Sequence, residues 1–225
     1  MECAVGNGRK VDVFVDMCTQ RDYLTPLGAQ PTLNAHHILP NLKRLMAFAR
    51  WAGVPMLSCV DARRPGEVRG LPQSHCVLGT PGQLKLPFTL LPDRVQIESD
   101  NCLCISLDLL QHHQQAILAK EHRDPFTNPK LDRLLTELPI RRFVVFGVSL
   151  ETSIRLLALG LLLRSRRVAV VWDACGWWNA GDGDMALRQM VAKGCELVTT
   201  RQLVEVALSQ HRRNGHHRYR RRSVA

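Results

Sequence analysis

The stretch FVVFGVSLETSIRLLALGLLLRSRRVAVVWD, residues 143–173, decides the fold. FVVFGV (143–148) and VAVVWD (168–173) are short β-branched runs without polar alternation, and TSIRLLALGLLLR (152–164) between them has a helical period. A strand that is apolar throughout is covered on both faces. Two such strands joined by a helix form a parallel crossover unit.

The same unit recurs outward in both directions. VDVFVDMC (11–18) reads as a strand, and LPNLKRLMAFARWAG (39–53) as a helix with Leu42, Leu45, Met46, Ala49 and Ala52 on one face and Gly53 as its stop. VPMLSCV (54–60) is a further strand. Residues 61–94, rich in Pro, Gly and Arg, form a long excursion. A strand at QAILAK (115–120) and a helix through Leu131, Leu134, Leu135 and Leu138 follow. After residue 173 come a helix near 182–193, a short strand at 196–199 and a last helix at about 201–210. The pattern predicts a three-layer, doubly wound α/β sandwich with a six-stranded parallel sheet. Its site lies beyond the carboxyl ends of the strands. That edge gathers Asp16, Cys18, Asp61, Lys120, Ser153 and Asp173, with Trp177 and Trp178 beside it. Neither GxGxxG nor a P-loop follows a strand, so nucleotide binding has no support.

Composition narrows the class. The chain has 225 residues, 45% hydrophobic and 22% charged, which excludes general disorder. The apolar run around Leu156–Leu163 is broken by Gly160 and stopped by Arg164, too short to cross a bilayer. MECAVGNGRK has no apolar targeting core, and the eight cysteines lack paired CxxC spacing. Reduced thiols in a cytoplasmic protein are expected. Residues 211–225 hold six arginines and no acid; without those six the formal net charge falls from +10 to +4. The expected division is a domain over 1–210 and a disordered basic tail over 211–225. That tail either is a solvated end or holds phosphate backbones through a salt-sensitive attraction.

Four separated motifs carry a resemblance: TQRDYL after the first strand, SHCVLGTPGQ in the excursion, Lys120 followed by Pro125-Phe126, and GVSLETSIRLLALGLLLR (147–164). Over roughly residues 10–205 they resemble the isochorismatase-like cysteine hydrolases, which include the nicotinamidases. The resemblance implies strand order 3-2-1-4-5-6, a small-molecule substrate or ligand and, commonly, homo-oligomers; no cofactor is expected. It also implies an Asp–Lys–Cys triad that cleaves small amides through a thioester. A thiol at a helix start has a lowered pKa, the aspartate takes its proton, and two backbone N–H groups receive the oxyanion. By resemblance, Val148 and Ser149 are joined by a cis peptide, and the N–H groups of Thr152 and Ser153 form that hole.

Lys120 matches the family lysine. Ser153 stands where the family has its cysteine, and an alkoxide is far harder to generate than a thiolate. Anchoring on Gln20-Arg21-Asp22-Tyr23 without a gap puts Cys18 at the catalytic aspartate's position; a gapped alignment gives that role to Asp16. Metal-dependent members hold zinc after the second strand and in the HCV motif. Here Asp61 and His75 match, but Arg63 replaces the middle ligand, a cation that either pairs with Asp61 or attracts an anion. No metal is therefore expected. The leading expectation is a homologue with dismantled chemistry that binds a ligand or partner. Against it stand a hydrolase using Ser153 with Lys120 and, last, one with Cys18 as nucleophile.

Overall fold

The structure is a computed structural model and describes residues 11–66, 74–97, 100, 102–206 and 208–209. The expected basic tail, 211–225, lies outside the described residues.

Seven strands form one parallel sheet: β1 (Asp12–Met17), β2 (Met56–Asp61), β3 (Arg94–Ile97), β4 (Gln115–Lys120), β5 (Arg142–Val148), β6 (Val168–Gly176) and β7 (Glu196–Val198). Their order is β3-β4-β2-β1-β5-β6-β7. The expectation of six strands is thus corrected to seven. β3 adds an edge strand beside β4, and the other six keep the anticipated order. β3 escapes a search for wholly apolar runs because Arg94 and Gln96 face solvent while Val95 and Ile97 face the protein, as an edge strand requires.

Helices cover both faces: α1 (Arg21–Leu24), α2 (Ala35–Ala52), α3 (Leu109–His112), α4 (Pro129–Glu137), α5 (Arg155–Leu163) and α6 (Ala180–Ala192), with residues 200–206 helical at the end. Period-two geometry splits β5 cleanly. Phe143 and Val145 join the core formed with α4, α5 and α6; Val144, Phe146 and Val148 join the one under α2. α2 starts four residues before the periodicity indicated and runs through Pro40, because Ile38 is buried in that second core. The excursion contains two 3₁₀ turns, Pro81–Gln83 and Pro87–Thr89, and no second compact unit among its described residues. Among the described residues no helix is long and apolar enough to cross a membrane.

Close approach demands glycine at several positions, and two of them bear on the site. Gly147 has φ +114°, and a Cβ there would stand 2.1 Å from the Met17 carbonyl oxygen of the neighbouring β1. Gly82 faces the Asp22 carboxylate, 2.0 Å from where its Cβ would be. Asp22 accepts from the backbone N–H groups of Cys76 (2.7 Å) and Ala29 (3.0 Å). The TQRDYL and SHCVLGTPGQ motifs are therefore two sides of one joint that sets the excursion against β1.

Candidate functional site

The carboxyl ends of β1, β2, β4 and β5 converge, as the sheet order dictates. Asp61 and Lys120 are paired residues in the β2–β4 register. The Lys120 ammonium is bound to the Asp61 carboxylate and also donates to the His122 carbonyl at 3.1 Å. Tyr23 donates its phenol to the other Asp61 oxygen at 2.5 Å, and Gln20 clamps the Asp61 backbone with two bonds of 2.8 Å. Burial pushes the Asp61 carboxyl up. Lys120, through its charge and its hydrogen bond, and then Tyr23 outweigh that and hold it below the usual carboxylate range. Burial depresses Lys120, yet the Asp61 carboxylate, by its charge and hydrogen bond, brings its pKa above that of a free lysine. Both groups are thus charged at neutral pH.

Asp16 is occupied elsewhere. Its Oδ2 receives Lys85 at 2.5 Å and the hydroxyls of Thr19 and Ser58 at 3.1 Å each. Asp16 is fully buried and Lys85 nearly so. Cys18, just past the end of β1, is also buried. Burial first, then the Asp61 charge, raise the Cys18 thiol well above its ordinary pKa, against the pull of Lys120. Cys18 therefore stays a neutral thiol beside Lys120, with none of the activation a nucleophile needs. Cys18 thus lies in the field of Lys120, while Asp16 pairs with a different lysine.

Beyond β5 the chain turns sharply. The Val148–Ser149 peptide is cis, as the resemblance implied. Leu150–Ile154 then form a π-helical turn that feeds α5. The Ile154 N–H reaches the Ser149 carbonyl at 3.0 Å, so the N–H groups ahead of it, Thr152 and Ser153 included, start a helix without intrahelical acceptors. Glu151 accepts from the Trp178 N–H at 2.7 Å, which ties this turn to the end of β6. The Ser149 and Thr152 hydroxyls are bonded to each other. Ser153 is 5% exposed, and its hydroxyl has no hydrogen-bond partner among the described residues. The expected contact between Ser153 and Lys120 is not made: the ammonium is directed to Asp61 and His122.

Ser149, Thr152 and Ser153 border a cavity of about 40 Å³ whose other walls include Tyr23, Arg63 and Trp178. At about 10–15 Å³ per enclosed water, that space takes roughly three waters or one small oxyanion head group. His75 stacks on Tyr23 at 5.4 Å, and His122 and Arg123 stand at the exposed side. The charges there are unequal. Asp61 is neutralised by Lys120, and Glu121 by Arg64 at 2.9 Å. Arg63 and Arg123 have no side-chain hydrogen bond among the described residues. A helix start, two guanidiniums and the unpartnered Ser153 hydroxyl border one anion-attracting concavity.

Zinc does not suit these donors. Both Asp61 oxygens are committed, to Lys120 and to Tyr23, and Arg63 adds positive charge between Asp61 and His75. Among the described residues no three His, Cys, Asp or Glu side chains are grouped as metal ligands would be. Asp173 proves to be a cap: its Oδ1 accepts from the Thr200 N–H (2.8 Å) and hydroxyl (2.9 Å) at the start of the last helix. Sequence reasoning missed Tyr23 and Lys85 as site neighbours. Lys85, between apolar Leu84 and Leu86, carried a signal: a lysine held in an apolar stretch needs a buried acid, and Asp16 inside an apolar strand needs a cation.

The isochorismatase domain model matches residues 11–202. No curated protein matches the sequence significantly. Among solved structures, the pyrazinamidase of Pyrococcus horikoshii in complex with zinc is 23% identical, with TM-score 0.67, covering 84% of this chain and 98% of its own. PnC1 of L. infantum in complex with nicotinate is 15% identical (TM-score 0.62; 85% and 93%). The MAR1 ribonuclease of Caenorhabditis elegans is 17% identical (TM-score 0.59; 89% and 82%). At these identities the likeness is one of fold.

Proposed function

This chain belongs to the isochorismatase domain family, and from that premise we propose that it keeps the family pocket as a binding site for a small anion and does not run thiol hydrolysis there. The observation that carries the reading is the Asp61–Lys120 pair. Lys120 is held by a carboxylate of β2, and among the described residues Ser153 has neither a base nor an acid within hydrogen-bond reach. A serine without a base is a poor nucleophile, and Cys18 is a buried neutral thiol. Ser153 would instead donate its hydroxyl to a bound oxyanion. The N–H groups of Thr152 and Ser153 would add two more bonds and Arg63 the counter-charge. The carboxylate or phosphate head fills the cavity, and the rest of the ligand projects past His122 and Arg123.

Calorimetric titration with nicotinate and nicotinamide at one pH tests the charge preference, since the two differ mainly in carboxylate against carboxamide. A charge-assisted bond is worth about 1.5–3 kcal/mol, so nicotinate should bind at least about tenfold more tightly. Arg63→Met should erase the difference. Tighter binding of nicotinamide would overturn the reading.

A second reading, a Ser153–Lys120 hydrolase, is favoured only by the helix start that remains at Ser153. It requires Lys120 to leave Asp61, so Asp61→Asn should then raise ester cleavage. Nucleic-acid contact through the six arginines of 211–225 is a separate possibility, prompted by that basic stretch and by the fold shared with the worm ribonuclease. It predicts salt-sensitive RNA binding that deletion of 211–225 abolishes.

A further inference from the structure

Five of the seven described cysteines are buried; the two exposed ones, Cys102 and Cys104, are separated by a single residue. They lie in an irregular segment ahead of α3, away from the pocket lined by Ser153. The segment is held by its neighbours. Asp100 accepts from the Cys102 N–H at 3.0 Å while paired with Lys130 of α4 at 2.9 Å. Arg133, one turn further along α4, donates to the Leu103 carbonyl at 3.0 Å. The Cys104 N–H in turn donates to the Cys102 sulfur at 3.1 Å, which folds the second thiol back onto the first.

We infer that Cys102 and Cys104 form a thiol–disulfide exchange site that reacts with low-molecular-weight disulfides such as glutathione disulfide and closes to an intramolecular Cys102–Cys104 bond. Three features support it: both residues are exposed, they are two apart in a segment tied to α4 through Asp100 and Leu103, and an N–H donor points at one of the sulfurs. The donor arrangement also orders the two thiols. The hydrogen bond from the Cys104 thiol, then the Cys104 N–H, lower the pKa of Cys102, while Cys104 is raised as the donor to Cys102. Cys102 is thus the attacking thiolate and Cys104 the resolving thiol.

In the first step the Cys102 thiolate attacks one sulfur of glutathione disulfide. The disulfide bond breaks, one glutathione thiolate leaves and takes a proton, and Cys102 carries a mixed disulfide. Cys104 then gives up its proton, attacks the Cys102 sulfur and expels the second glutathione. The two protein thiols lose two electrons, and the small disulfide is reduced to two thiols. A bond across so few residues in an exposed turn is easily reduced again.

The test uses the full chain carrying Cys3→Ser, so that no thiol outside the described residues interferes. It is treated with glutathione disulfide, alkylated and read by mass spectrometry. Cys102 and Cys104 should both become unavailable to alkylation without retained glutathione, and dithiothreitol should restore them. Cys104→Ser should stop with one glutathione on Cys102. Cys102→Ser should take up glutathione at least about tenfold more slowly. Either of two results would overturn the inference: a disulfide-linked dimer as the main product, or thiols that react no faster in the native chain than in the same chain unfolded in urea.

Discussion

Replacing Asp61 by Asn should cost most of the stability that a single charge can cost in this fold. Lys120 is 1% exposed in its side chain and Asp61 15%, so the variant leaves an ammonium in the interior without a counter-charge, bonded only to the neutral His122 carbonyl and Asn amide oxygens. Breaking a buried pair from one side costs about 3–5 kcal/mol. Because Asp61 is partly open to water, the lower end, about 3 kcal/mol, applies. For a chain of this size each kcal/mol moves Tm by about 2–4 °C, so the loss is about 6–12 °C. Urea unfolding gives the same quantity as a fall in midpoint at constant slope.

The pH dependence follows from the charges. In wild type the folded Asp61 pKa lies below its unfolded value, so its contribution is complete above about pH 4 and is lost as pH falls through the folded pKa. Asp61→Asn removes that acid limb. In the variant the buried Lys120 sheds its proton more readily folded than unfolded, so the deficit should shrink as pH rises from 7 toward 10. Adding Lys120→Met should recover most of the loss, because neutral partners leave no charge behind. A loss below about 1 kcal/mol, or a double variant no more stable than Asp61→Asn, would refute the reasoning.

Gly147→Ala should destabilise by at least about 2–4 kcal/mol, since φ +114° and the Met17 carbonyl both exclude a Cβ; chemical unfolding checks it, and a near-neutral result would contradict the geometry. Zinc added in excess and dialysed away should leave far less than one ion per chain by elemental analysis, because Asp61 is committed and Arg63 repels a cation. Retention of one zinc per chain would contradict that account.

The fold was legible wherever strands are buried on both faces. FVVFGV is buried throughout and VAVVWD from Val168 to Val171, so their apolar runs mark them without ambiguity, and the crossover rule then places the helices. β3 was not legible by that rule, because Arg94 and Gln96 on its open side break the run. Lys120 could be placed at the site because a charged residue ending an apolar strand lies at the sheet's carboxyl edge. Its partner could not, because strand adjacency settles it: Asp61 and Lys120 are 59 residues apart in sequence and opposite one another across β2 and β4. The same non-local pairing hid Lys85 from Asp16, 69 residues away. Asp16 and Cys18 are alternatives in the alignment, and the two have different charged neighbours, Lys85 and Lys120.

Ammonia release from nicotinamide, followed over hours with the full chain at micromolar concentration, tests most directly whether this pocket binds without cleaving. The account predicts no release above the buffer rate for wild type and no change on Ser153→Ala. Steady release by wild type that Ser153→Ala abolishes would contradict it, since a serine that the geometry leaves without a base would then be the working nucleophile.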